Sequence, residues 1–260
     1  MGIPILILGE SGTGKSASMR NFKADEVALA NVAGKPLPFK GRFDETINTD
    51  SYRQIKKFIK ESFADVVVID DAQYLMANEF MRRSNERGYD KFTEIGVNFW
   101  DLVRSVIELP ENKIVAFLAH IERDQNGNEK IKTIGKLLDE KITVEGMFSI
   151  VLKTSVKDGS YSFVTQNSGH DTVKSPMGMF PVNEIDNDLK AVVDAIKNYY
   201  DLPGAPEEYP FDSKEADELT KEVEEELKHG KNKEEKPKET PIEEKKEETK
   251  TRKRRTRKER

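Results

Sequence analysis

An apolar run, Ile3 to Leu8, leads straight into Gly9-Glu10-Ser11-Gly12-Thr13-Gly14-Lys15-Ser16, and the residues after Lys15 carry helical character. Nothing else in the chain restricts its fold as strongly. The run has the length and content of a buried strand. The glycines permit positive φ, so backbone N–H groups in the turn can converge on one point instead of joining a ladder. A helix opening at Lys15 adds the partial positive charge of its first turn. The eight residues fit the spacing G-x-x-x-x-G-K-[ST], in the strand-then-helix context that this pattern requires. Gly9, Glu10, Ser11, Gly12, Thr13, Gly14, Lys15, Ser16 and Ala17 are therefore candidates to cradle a nucleotide's phosphates. Lys15 reaches the β- and γ-phosphates, and the Ser16 hydroxyl holds Mg2+.

Such a site needs a second half, an acidic residue at the end of a neighbouring buried strand. Ala64 to Asp70, "ADVVVID", is a continuous β-branched run, as expected of a strand covered on both faces. Asp70 is the candidate metal ligand, and Asp71 stands where a carboxylate could orient or deprotonate an attacking water. Two adjacent carboxylates repel one another without a cation, which favours magnesium. ATP and Mg2+ are the expected ligands.

The remaining pattern reads as strand and helix in alternation. A helix capped by Asp50 runs to about Ser62 with Ile55, Phe58, Ile59 and Phe63 on one face; Lys91 to Leu109 repeats apolar residues at helical spacing, with Trp100 in the core stripe. "KIVAFLAH", Lys113 to His120, is another buried strand. "MFSIVLKTSV" and "SYSFVTQ" form a hairpin about Lys157-Asp158-Gly159-Ser160, and Asp186 to Tyr200 closes with a helix. The expected fold is α/β: a mostly parallel sheet with helices on both faces and a C-terminal antiparallel hairpin.

Pro203, Pro206 and Pro210 mark a linker, so the folded domain is expected over 1–202, the linker over 203–212 and a charged tail over 213–260. Glu and Lys dominate the tail, which has too little apolar surface to offset its ordering entropy, apart from a short helix at 214–228. Residues 250–260, "KTRKRRTRKER", hold eight basic residues and one acidic, so against a total of −5 the rest of the chain carries −12. That polycation, with Arg252, Lys253, Arg254, Arg255, Arg257 and Lys258, suits nucleic acid, since it releases condensed counterions without needing a fold. A solubilising or targeting tail has the same composition. With no cysteine there are no disulfides or thiolate metal sites, and no run is long enough to cross a bilayer, so a cytoplasmic protein is expected.

"GESGTGKS", "NVAGKPLPFKG" (31–41), "VVIDDAQYLMANEFMRR" (67–83), "GYDKFTEIG" (88–96), "FLAH" (117–120), "TIGKLLDEKITVEGMF" (133–148) and "SPMGMF" (175–180) together resemble phage ATP-binding proteins of the RecA-like P-loop class, related to single-strand annealing and recombination ATPases. The resemblance covers about 1–200. It implies a RecA-like core, in which the strand after the "VVVIDD" strand ends in a γ-phosphate sensor, here His120. It also implies sites completed between subunits of an oligomer or filament by a cation reaching the neighbour's γ-phosphate, for which Lys174 is the candidate. DNA-binding loops in such proteins would fall at Arg82, Arg83 and Arg87 and at Arg123. The implied function is a Mg-dependent ATPase of phage DNA replication or recombination, assembling on single-stranded DNA. The alternative is an accessory, helicase-loader-like ATP-binding protein that acts on a protein partner. A small-molecule kinase fits less well, because no arginine-rich lid follows the hairpin.

Overall fold

A computed structural model describes residues 1–211; the tail, with the helix expected at 214–228 and the basic cluster at 250–260, lies outside the described residues. In β1 (Ile3–Gly9) successive side chains serve opposite faces: Leu6 and Leu8 join one core cluster, Ile5 and Ile7 another. β4 (Val66–Asp70) and β5 (Ile114–Arg123) divide in the same way, Val67, Ile69 and Phe117 on one face and Val66, Val68 and Leu118 on the other. Apolar layers above and below such strands require helices on both sides of the sheet.

The other strands are β2 (Val27–Asn31), β3 (Glu45–Asn48), β6 (Glu129–Ile131), β7 (Ile150–Lys157), β8 (Ser160–Val164) and β9 (Glu184–Asp186). They order as β3-β2-β4-β5-β1-β7-β8-β9, parallel from β3 to β7, with β6 antiparallel on the end of β5. β7 to β9 are antiparallel, and β7 and β8 form the hairpin expected around Asp158 and Gly159, both at positive φ. The fold is thus α/β with a mostly parallel mixed sheet. One face is covered by α1 (Tyr52–Glu61), α2 (Tyr74–Arg82) and α3 (Asp90–Ile107), the other by Met19, Phe22 and α4 (Leu189–Tyr199). Among the described residues no helix is long and apolar enough to cross a membrane.

Four local features depart from the pattern reading. The cap of α1 is Ser51, whose hydroxyl faces the Gln54 N–H, while Asp50 instead accepts from Asn78 and pairs with Arg82. Since α1 ends at Glu61 and Ser62 is extended, Phe63 leaves the helical repeat and is 96% exposed. Trp100 sits at the edge of its cluster, half-buried, with the Arg104 guanidinium over its ring. The helix after the glycine-rich loop is only a six-residue 3₁₀ segment, Ser16–Asn21. Ser18 donates to the Lys15 carbonyl there, and such local side-chain bonds compete with a regular α-helix.

The packed chain also runs past the expected boundary at Leu202. Asn198 donates to the Pro206 carbonyl, and Tyr209 and Phe211 lie against the α4 face, the Phe211 ring 5.7 Å from that of Phe180.

Candidate functional site

The C-terminal ends of β1, β2, β4 and β5 point the same way, and the candidate residues gather above them. Register places Gly9 beside His120 and Asn31 beside Asp70. Gly9 is demanded by close approach, because a Cβ there would stand 1.8 Å from the Thr154 hydroxyl oxygen of β7. Gly12 and Gly14 take φ of +80° and +94°, which turns the loop over the strand end. Thr13 Oγ1 lies 2.6 Å from Thr154 Oγ1 and 2.8 Å from the Glu10 carbonyl oxygen, fastening the loop to β7.

Lys15 is buried and donates to the carbonyls of Gly9 (2.9 Å) and Glu10 (2.7 Å). Burial pulls its pKa down to about 8, against the pull of Asp71 and Asp70 in the other direction. The two halves of the site meet directly: Ser16 Oγ donates to Asp70 Oδ1 at 2.9 Å. Asp70 is buried, and this raises its pKa despite the Ser16 bond. A buried carboxylate with one hydroxyl beside it, at the mouth of a phosphate-sized loop, fits magnesium, which takes one or two carboxylates and completes its shell with phosphate and water. Among the described residues no group of three or more His, Cys, Asp or Glu is placed to hold a metal ion.

Asp71, at φ of 59°, turns its carboxylate between two strand ends. Its Oδ2 accepts from Lys35 at 3.0 Å, and its Oδ1 lies 3.3 Å from His120 Nε2. Burial would raise its pKa, but these two bonds outweigh it and hold the carboxyl at about 2. His120 is fixed at its own N–H, which donates to Gln73 Oε1. Together these groups line a cleft of about 500 Å³, completed by Pro36, Pro38 and Tyr161.

Of the expected residues, Ser11, Gly12, Gly14, Lys15, Ser16, Ala17, Asp70, Asp71 and His120 therefore share one cleft. Lys174 does not line it; its backbone forms a bridge to Val151, at the outer edge of β7. The loop arginines are already engaged: Arg82 with Asp50, Arg83 with Glu79, Glu86 and Glu94, and Arg123 with Glu10 and Glu129, while Arg87 is exposed. Three contributors were not foreseen. Thr154 and Tyr161 lie in the hairpin, where nothing but strand character is visible, and Tyr161 packs against the loop so closely that a Cβ at Gly14 would be 2.9 Å from its ring. Lys35 falls within "NVAGKPLPFKG", a stretch with no chemical pattern of its own. No protein-family model matches the chain, and a search of curated proteins finds no match.

Proposed function

We propose that the chain binds ATP with magnesium in this cleft and hydrolyses it. The observation that carries the reading is the Ser16–Asp70 hydrogen bond, which joins two motifs 54 residues apart into one site at the end of a parallel sheet. The strand order supports a RecA-like core, since β5 lies between the strands of the two motifs and its buried run, ending at Ala119, is followed directly by His120.

In this reading Ser16 and Asp70 hold the metal, and magnesium supplies charge neutralisation of the phosphate oxygens. Lys15 exchanges the carbonyls of Gly9 and Glu10 for β- and γ-phosphate oxygens. Asp71, beside the metal ligand Asp70, orients the attacking water. The water oxygen bonds to the γ-phosphorus as the bridging oxygen leaves with ADP, and both water protons depart with the product as dihydrogen phosphate.

The depressed Lys15 pKa sets a pH dependence. Phosphate contact raises that pKa, so binding takes up a proton wherever the free lysine is neutral, above about 8. ATP affinity should be flat below that pH and fall by up to about tenfold per unit above it. Titration calorimetry at pH 9 in buffers of different ionisation heat should register the uptake; buffer-independent heats would contradict it.

We further propose that nucleotide state is coupled to single-stranded DNA, with the basic residues 250–260 as the contact. The reading rests on their charge and on the family resemblance. Deleting 250–260 should weaken DNA binding and flatten its salt dependence, by about three units of slope if four phosphate contacts are lost, at roughly 0.7 each. Equal slopes would remove the tail as the contact. An ATPase assay with and without single-stranded DNA tests the coupling; stimulation only by a protein partner would favour the accessory, loader-like reading.

A further inference from the structure

Lys35 has a position that the two motifs do not account for. It lies just beyond β2, where the Asn31 side chain donates to its carbonyl oxygen at 2.7 Å, so its backbone is anchored at the level of Asp70. Its side chain is 62% exposed, yet the ammonium reaches into the cleft and pairs with Asp71, whose side chain is 12% exposed. It also stands 5.2 Å from the Tyr74 ring. Because the lysine side chain is exposed, water and salt screen its end of the pair. It is easily exchanged for another anion.

Among the described residues that line the cleft, the only lysines or arginines are Lys15 and Lys35. Lys15 is bound to the loop carbonyls at the β1 end, and Lys35 faces it from the Asp71 side. The proximity of the two positive charges helps to depress the Lys15 pKa, so each feels the other. A chain of phosphates running from Gly14 toward Asp71 would separate and satisfy both. Asp71, meanwhile, accepts from Lys35 at one oxygen and faces His120 with the other, so the departure of Lys35 frees an acceptor site for a water.

Resting on the nucleotide-site reading above, we propose that Lys35 senses the γ-phosphate within its own chain: its ammonium leaves Asp71 for the γ-phosphate, and the freed carboxylate oxygen takes the attacking water. Lys35 transfers no proton. It offsets negative charge on the γ-phosphate oxygens as the bond to the bridging oxygen breaks, and no cation from a neighbouring chain is then required for this step. A lysine suits the exchange, since its compact ammonium on a flexible stem can change partners, and charge-assisted bonds to phosphate are the stronger ones. ADP lacks the group that would draw Lys35 away, so it leaves the Lys35–Asp71 pair closed.

The test uses the full chain with magnesium and compares ADP with the non-hydrolysable β,γ-imido analogue of ATP, by calorimetry, in wild type, Lys35→Met and Lys35→Arg. A lost charge-assisted bond should lower the affinity of Lys35→Met for the triphosphate analogue by roughly ten- to hundredfold. Its affinity for ADP should change by less than about twofold, and Lys35→Arg should restore most of the preference. Turnover of Lys35→Met should fall on the order of a hundredfold and stay independent of protein concentration. Wild-type protein that binds both nucleotides, with an unchanged triphosphate-to-diphosphate ratio in Lys35→Met, overturns the inference alone. Wild-type protein that binds neither overturns the site reading and the inference with it.

Discussion

Phe117→Ala should destabilise the protein by about 3–5 kcal/mol, a large share of the roughly 5–15 kcal/mol available to a folded domain. Phe117 has no exposed surface and lies in β5 between Leu6 of β1 and Ile69 of β4, at the centre of the parallel sheet. Its ring meets those of Phe148 at 5.4 Å and Phe99 at 6.3 Å, both edge-on, so it joins the sheet to α3 and to the segment before β7. Neighbours on three elements cannot all collapse into the space the ring leaves, which puts the cost in the cavity-dominated range. Urea denaturation should show a lower midpoint with an unchanged slope. Phe63→Ala makes the comparison: that ring is 96% exposed, and its loss should change stability by less than about 0.5 kcal/mol. A loss below about 1 kcal/mol for Phe117→Ala would show that the ring does not hold these elements together.

The damage should extend to chemistry. His120 lies three residues along the same strand, and its N–H bond to Gln73 and its approach to Asp71 depend on β5 holding its register between β1 and β4.

The two motifs were legible because their chemistry is local. Gly9 to Ser16 demands glycine at fixed steps and a lysine beside a hydroxyl, and "VVVIDD" ends a fully apolar run in charge, so each is complete within a few residues. Their meeting through Ser16 and Asp70 followed from the motif. The insertion of β5 between their strands did not, because strand order depends on pairings far apart in the chain and leaves no mark on either segment.

β2 is illegible in the sequence for a different reason. "VALAN" is buried at every position, so it shows no alternation, and its two alanines carry little strand preference. β3, β6 and β9 have only three or four residues each, too few for any period to emerge. Lys35 is hidden with it, since only the pairing of β2 with β4 brings the following loop to Asp71. Thr154 was hidden likewise: a threonine in a strand reads as a β-former, and its contact with Thr13 exists only because β7 lies beside β1.

Lys15→Ala carries the second large effect. The ammonium is buried at the base of the cleft, and its two acceptors, the carbonyls of Gly9 and Glu10, belong to the loop itself. Removing it leaves both carbonyls beside the cleft, where water can reach them, and takes a partly desolvated charge out of the protein, so the fold should survive with a melting midpoint within a few degrees of wild type. Binding should not survive. At roughly 1.5–3 kcal/mol for each charge-assisted bond, loss of the contacts to two phosphates should weaken ATP by on the order of a hundredfold or more. The decisive measurement is calorimetric titration of ATP with magnesium into the full wild-type chain and into Lys15→Ala at neutral pH. One binding site per wild-type chain is the expected result, lost or weakened by at least about a hundredfold in the variant, which stays folded. No binding to wild type, or equal affinity in the two proteins, would contradict it.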